Sequence, residues 1–525
     1  MTPTEEQQAA IDLFGTGEHL VIEAGAGTGK TSTLKLLAQS CPRRSGKFVA
    51  FNKAIVTDAG RKMPANVTAS TAHSLAFQAV GKRYAHRLGS ARMKSMQIAR
   101  ELGIDDVVVD VGGTPRRLAP GYLAGHVMRA VTRFCQTADP EPTWRHFPRI
   151  DAIDPAVRIE MRYHDETGGA RTKSFDSAEQ AEAFARTVEV VKAPRCWPET
   201  RRDNANNRDV AKHLEQPLRR AWKDLQDLNG RLPYKHEHYL KAWQLSDPTI
   251  YADFVLFDEA QDANPVMLAV VAAQTEAQRI YVGDANQQIY EWTGAVNALD
   301  SIDGAKRTAL TQSFRFGPLI AATANLVLDW LESDLRIRGT DSIESDVRPI
   351  ANPDVILCRT NACAVETVLG LLEAGRQVAL VGGAADVVSF ARAAEELQTE
   401  GQCFHPELSC FDSWAEVQDY VANDPQGSEL KLLVGLIDDY STDTIIDGLS
   451  RTTREDRADI VISTSHKAKG REWAQVRLAG DFPDGAGDEI DAAELRLLYV
   501  AVTRARMVLD NRAVPLFFHS ASEVS

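Results

Sequence analysis

Apolar runs and amphipathic stretches follow one another along this chain in a strand–helix–strand order. An apolar run at 20–22 leads into a glycine-rich turn and then a helix that begins near Lys30 and Thr31. Further strands are predicted at 47–51, 67–69 and 254–257 and at the end of 281–284, with helices over 4–14, from 52–54 onward and from 71 to about 80. The unbroken apolar run at 254–257 is the pattern of a strand buried on both faces of a parallel sheet. A second alternating region follows: helix 317–333, strand 355–357, helix 361–374, strand 378–381, strand 460–463, strand 475–478, helix 490–502 and a short strand 507–509.

This order predicts an α/β fold of parallel sheets that bind ligands at their strand carboxyl ends. Two stretches interrupt it. Residues 81–244 carry clustered arginine and lysine, and 386–454 is poorly patterned and more acidic. Read as insertions, they leave one α/β domain over 1–80 and 245–310 and another over 311–385 and 455–525.

Composition narrows the class without naming a chemistry. At 525 residues the chain is too long for one core. Its 44% hydrophobic and 25% charged content is ordinary for a soluble protein. No apolar run approaches the roughly 18–20 residues of a membrane span, and the first residues lack a signal-peptide pattern. Seven cysteines without a C-x-x-C pair read as free thiols of a reducing cytoplasm. A net charge of −14 argues weakly against a basic nucleic-acid-coating surface, yet leaves room for a narrow basic channel. In the first insertion, Trp197, Trp222 and Trp243 interleave with arginines, which raises a stacking role on nucleic acid.

The specific chemistry begins at Ala24-Gly25-Ala26-Gly27-Thr28-Gly29-Lys30-Thr31-Ser32, a P-loop with alanine at its first glycine position. Such a loop aims backbone N–H groups at a phosphate, Lys30 reaches the β/γ-phosphates, and the Thr31 hydroxyl ligates Mg2+. Gln7 completes a capping box with Thr4, and its amide also suits an adenine edge. Asp258 and Glu259 end an apolar strand, where Asp258 can hold Mg2+ and Glu259 can polarise an attacking water. Gln287 is a candidate sensor of the γ-phosphate, Arg315 a candidate arginine finger, and Phe314 a ring to pack on adenine. Tyr290 and Trp292 are aromatic groups near the nucleotide that suit either packing or base stacking. The second α/β region has no P-loop, so one ATP is expected between the halves, with Arg315 and Arg504 facing its γ-phosphate.

Taken together, these motifs resemble the UvrD/Rep type of superfamily 1 helicase, and within it the F-box DNA helicase branch and related phage and bacterial proteins, without an F-box. The resemblance rests on Gln7, the P-loop, A-F-N-K-A (50–54), T-A-H-S-L (71–75), D-E-A-Q-D (258–262), V-G-D-A-N-Q-Q-I-Y-E-W-T-G-A (282–295), Q-S-F-R (312–315), T-S-H-K-A-K-G-R-E-W (464–473) and L-Y-V-A-V-T-R-A (498–505). It implies two RecA-like domains, 1A and 2A, with insertions 1B and 2B, and ATP-driven 3′→5′ movement on single-stranded DNA and at single-strand/duplex junctions. It also implies a nucleoid-associated place in the cytoplasm, or in a host cytoplasm for a phage product.

By resemblance, the nucleotide roles fall on Gln7, Lys30, Thr31, Asp258, Glu259, Gln287, Phe314, Arg315, Gly470, Glu472 (ribose) and Arg504. The DNA roles fall on Phe51, Asn52, His73, Tyr290, Trp292 and His466, with Lys53, Lys467 and Lys469 as phosphate neighbours. Thr293 stands where the family commonly has arginine, the 50–54 motif is one residue short, and the second insertion is much smaller than a full 2B domain. The same motor residues would serve a translocase that strips proteins from DNA. A DNA-binding scaffold with residual nucleotide binding is the rival from another class, and it would need neither Glu259 nor an arginine finger.

Overall fold

The computed structural model describes residues 2–519 except 51–52, 90–92, 112, 151–152, 154–157, 165–169, 176–183, 185–188, 198–204, 290–298, 300–301, 404, 406, 409–410, 412, 424–429 and 485–489. Four of the residues expected to touch DNA, Phe51, Asn52, Tyr290 and Trp292, lie outside the described residues, as does Thr293.

Two six-stranded sheets organise the chain, and every pairing within them is parallel. The first contains β1 (Leu20–Ala24), β2 (Gly46–Ala50) and β3 (Val67–Thr71). Two small antiparallel units come next, β4 (Val107–Val111) with β5 (Thr114–Leu118), and β6 (Arg158–His164) with β7 (Ala170–Phe175) and β8 (Glu189–Trp197). The chain then rejoins the first sheet with β9 (Phe254–Phe257), β10 (Gln278–Gly283) and β11 (Lys306–Leu310), in the order β11-β1-β10-β9-β2-β3. The second sheet is built from β12 (Asp346–Val347), β13 (Val355–Cys358), β14 (Val378–Leu380), β15 (Ile460–Thr464), β16 (Trp473–Leu478) and β17 (Ala505–Asp510), ordered β12-β17-β16-β13-β15-β14. These are RecA-like α/β halves.

Side-chain alternation along the strands divides each core between two sheet faces. Leu20, Ile22, Phe48, Phe254 and Leu256 pack with Phe14 and Leu34 on one face of the first sheet. Their neighbours Val21, Val49, Val255 and Phe257 pack on the other face, in one continuous core with Leu123, Val127, Phe134, Trp222, Tyr239 and Trp243. The first insertion therefore supplies the cover for one face of the sheet. The second sheet repeats the arrangement: Val355, Leu357 and Val461 face one core, whereas Ile356, Cys358, Ile460 and Ile462 face another that includes Val417, Val434, Ile437 and Ile445 of the second insertion.

Two expectations change here. Trp222 and Trp243 are buried, and Trp222 meets Phe134 edge-on with ring centroids 5.1 Å apart, so both are core groups and not stacking platforms. The side chain of Trp197 lies outside the described residues. The poorly patterned stretch at 386–454 is mostly helical, in Ala385–Glu400, Trp414–Asn423, Lys431–Tyr440 and Thr442–Ser450.

Candidate nucleotide site between the two halves

Sheet order assembles the site. β1, β10 and β9 are adjacent, so the P-loop after β1, Asp284 after β10 and Asp258 after β9 meet at one carboxyl edge. Gly27 and Gly29 have φ of +75° and +79°, a region open to glycine at little cost. At Gly27 space matters as much: a Cβ there would lie 2.5 Å from Ser313 Oγ and 2.7 Å from Arg315 Cβ. The segment from Ser313 to Arg315 thus lies directly on the loop, and Phe314 N–H donates to the Gly27 carbonyl at 2.8 Å. Helix Lys30–Ser40 follows and points its N-terminus into the site.

Lys30 Nζ donates to Glu259 Oε2 at 2.8 Å. Burial disfavours the Lys30 charge, but Glu259, Asp258 and Asp284 outweigh it and raise its pKa. Burial pushes the Asp258 carboxyl up to about 7, and the charge on Glu259 adds to the effect. Glu259 moves the other way, to about 2: burial opposes its charge, while Lys30 and then Lys469 more than offset it. Asp258 Oδ1 accepts from the Glu259 N–H at 3.0 Å. Glu259 adopts a left-handed backbone, φ 52° and ψ 44°, an uncommon conformation for a residue with a side chain. Thr31 is half-buried at the first turn of the P-loop helix, and Ser32 beside it is exposed.

Gln7 does what its spacing predicts and something further. Its Oε1 accepts from the Thr4 N–H at 3.1 Å, closing the capping box, and its Nε2 donates to Thr33 Oγ1 at 3.2 Å. Gln7 Nε2 and the ring of Phe314 each lie 3.6 Å from where a Cβ on Gly29 would stand. Phe314 is half exposed, a flat apolar surface beside an amide.

The second half closes the site. Arg504 is buried and donates from Nη2 to Gln287 Oε1 at 3.2 Å. Burial, and then the nearby Arg315 charge, lower its pKa to about 9. Arg315 donates to Glu472 Oε2 at 2.8 Å and to the Thr503 carbonyl at 2.9 Å. Gly470, with φ of +82°, turns the chain two residues before Glu472. Three further residues make contacts that the sequence did not predict. Tyr499 accepts from the Ala26 N–H at 3.4 Å and donates to Asp284 Oδ2 at 3.3 Å. Gln261 donates to Glu259 Oε2 at 2.6 Å and accepts from the Asp284 N–H at 3.0 Å. Lys469, expected near DNA phosphate, instead forms a buried ion pair with Asp262 across the seam.

His73 follows β3 and His466 follows β15, both partly buried. His73 stands edge-on to Tyr239 with ring centroids 6.4 Å apart. Burial lowers both histidine pKa values, so each ring is mostly neutral at pH 7 and offers an aromatic face more than a charge. Of the first-insertion arginines, Arg219 pairs with Glu141 and Glu215 and Arg220 donates to the Leu102 carbonyl, as on an ordinary solvated face.

Two RecA-like halves with a single P-loop at their seam define a P-loop NTPase of the two-domain kind. A family model described as an AAA domain matches residues 7–293, and one described as a UvrD-like helicase C-terminal domain matches 459–509. The chain belongs to the UvrD-like superfamily 1 helicases. It is 27% identical to F-box DNA helicase protein 1 of Schizosaccharomyces pombe, over 98% of this chain and 58% of that protein. It is 28% identical to F-box DNA helicase 1 of Gallus gallus, over 96% of this chain and 48% of that one. The chain thus spans about half the length of these curated relatives. Among the described residues, no helix is long and apolar enough to cross a membrane.

Proposed function

We propose that this chain is an ATP-driven motor that moves 3′→5′ along single-stranded DNA and opens the junction between single strand and duplex. The observation that carries this reading is the bond from Arg504, in the second half, to Gln287, which follows β10 of the first. It joins a candidate γ-phosphate sensor to a candidate finger across the seam, so a phosphate held there would govern how the halves meet. Lys30 holds the β/γ-phosphates from one side, while Arg315 and Arg504 neutralise developing charge from the other. Glu259, kept ionised by Lys30, orients the attacking water. Gln7 and Phe314 take the adenine, and Glu472 the ribose once Arg315 turns to phosphate.

Thr31 and Asp258 fit a magnesium ion: Asp258 is buried, and no described residue donates to its Oδ2. When bound, the metal would neutralise phosphate charge. Loss of the γ-phosphate removes the bridge and lets the halves part. DNA as the track is supported by the two relatives, both named DNA helicases. Neutral His73 and His466, with Phe51, Asn52, Tyr290 and Trp292, would hold bases by stacking and hydrogen bonding, which tolerates any sequence.

The test is ATP turnover with and without single-stranded DNA, with an RNA strand as competitor. Stimulation by DNA and its loss in Lys30→Ala are expected. Near-normal turnover in Lys30→Ala would overturn the assignment of the site.

A further inference from the structure

Gln287 is held at every polar atom of its side chain and at its carbonyl. Its Nε2 donates to Asp284 Oδ2 at 2.6 Å, its Oε1 accepts from Arg504, and its backbone oxygen accepts from Lys469 Nζ at 2.6 Å. Lys469 also donates to both oxygens of Asp262, at 2.7 Å and 2.6 Å. The side chains of this ion pair are only 9% and 5% exposed. Lys469 lies between β15 and β16, Asp262 follows β9 and Gln287 follows β10. One ammonium from the second half therefore fastens two loops of the first, donating to Asp262 Oδ1, Asp262 Oδ2 and the Gln287 carbonyl. A group so engaged is poorly placed to bind a DNA phosphate at the same time.

We propose that Lys469 is a positioning residue of the motor, which sets the Gln287 loop against Arg504 and so governs the rate of hydrolysis and not the binding of nucleotide. This rests on the reading of the cleft as an ATPase and deepens it. Asp262 makes the lysine's place definite: its two oxygens fix the ammonium, and the third bond then fixes the Gln287 carbonyl. Cutting the bond at that carbonyl leaves Lys30, the P-loop amides, Gln7 and Phe314 untouched, so affinity for ATP should survive. What is lost is the register between Gln287 and Arg504, with the smaller part of the positive charge that keeps Glu259 ionised, while Lys30 still supplies the larger part; a displacement of about 1 Å at such a site can cost on the order of 100-fold in rate.

Removing Lys469 alone leaves Asp262 buried without its partner, so one variant cannot separate position from stability. The experiment compares the wild type, Lys469→Met, and the double variant Lys469→Met with Asp262→Leu, in which the orphaned carboxylate is gone and the seam is apolar. For each, kcat and KM for ATP are measured with saturating single-stranded DNA, and binding of a non-hydrolysable ATP analogue is measured separately. The expected result is a kcat at least about 10-fold lower in both variants, with analogue affinity within about twofold of the wild type. Recovery of the wild-type kcat in the double variant would mean the pair only holds the fold together, and would overturn the proposal. So would a raised KM at unchanged kcat. A wild-type chain that does not hydrolyse ATP overturns the ATPase reading and this one with it, whereas an active wild type with unaffected variants overturns only the role of Lys469.

Discussion

Glu259 sits in a left-handed conformation with its carboxylate fixed by Lys30 and Gln261. Such a backbone costs of order 1 kcal/mol or more, and the bonds on either side of it over-determine the geometry. Replacing Glu259 with Gln keeps the shape and removes the charge; ATP binding should persist while kcat falls by roughly 100-fold or more, as for loss of a general base. Equilibrium binding and steady-state turnover on the same preparation check this. Gly27→Ala makes a steric claim. Its new methyl would meet Ser313 and Arg315 at φ of +75°, so ATP affinity should fall and thermal stability drop by about 1–3 kcal/mol. Calorimetry of the variant with and without ATP measures both. That Lys30, Glu259 and Arg504 come together at one edge was legible in sequence, because each sits in a motif of fixed spacing at a strand or helix end. The bonds of Tyr499 to Ala26 and of Gln261 to Asp284 were not, because they join segments 473 and 23 positions apart, which no local pattern encodes.

The elements show where periodicity informs and where it fails. β9 was legible because its four consecutive apolar residues, Phe254 to Phe257, are too short a run for a helix, suit a strand buried on both faces, and end at the acidic pair Asp258 and Glu259. Five of the six strands of the second sheet also lie close to where alternation puts them, whereas the two-residue β12 is too short to leave a pattern. In the second insertion Trp414–Asn423, Lys431–Tyr440 and Thr442–Ser450 were not legible, since each has only nine or ten residues and carries acidic residues beside its apolar ones. Ser441, at φ 62°, separates two of them. Trp222 and Trp243 mislead for another reason: an aromatic residue among arginines looks the same in sequence whether it faces solvent or core, and here Arg219 and Arg220 face out and the two rings in.

Helix His236–Gln244 carries a pH prediction. His238 Nδ1 accepts from the Lys235 N–H at 3.0 Å, and burial lowers its pKa from 6.5 to about 3. Between those values the unfolded chain binds more protons than the folded one, so this stability is intact above pH 6.5 and lost as pH falls. By pH 5 the loss is on the order of 2 kcal/mol. His238→Gln keeps an acceptor for Lys235 without titrating, so denaturant unfolding at pH 7 and pH 5 should show a smaller drop than in the wild type. An equal drop in both would remove His238 as its source.

At the scale of the molecule, the two sheets are built alike and finished differently. Each has one face covered by helices of its own insertion, and the P-loop residue Ala26 packs into the core of the opposite half with Phe316 and Ile337. The halves are joined at the nucleotide edge by Arg504, Lys469 and Tyr499, and each of these bonds ends on the P-loop or on loops that follow β9 and β10. On the proposed reading such a seam responds to what occupies the phosphate site, because the loops that join the halves are the ones assigned to the nucleotide. Strand displacement is the most direct measurement of the motor reading. A duplex with a 3′ single-stranded tail and one with a 5′ tail are each incubated with the protein, with and without ATP, beside Lys30→Ala. Unwinding of the 3′-tailed duplex alone, dependent on ATP and absent from Lys30→Ala, is the predicted result. Unwinding that requires a 5′ tail, or that proceeds equally well without ATP, would contradict it.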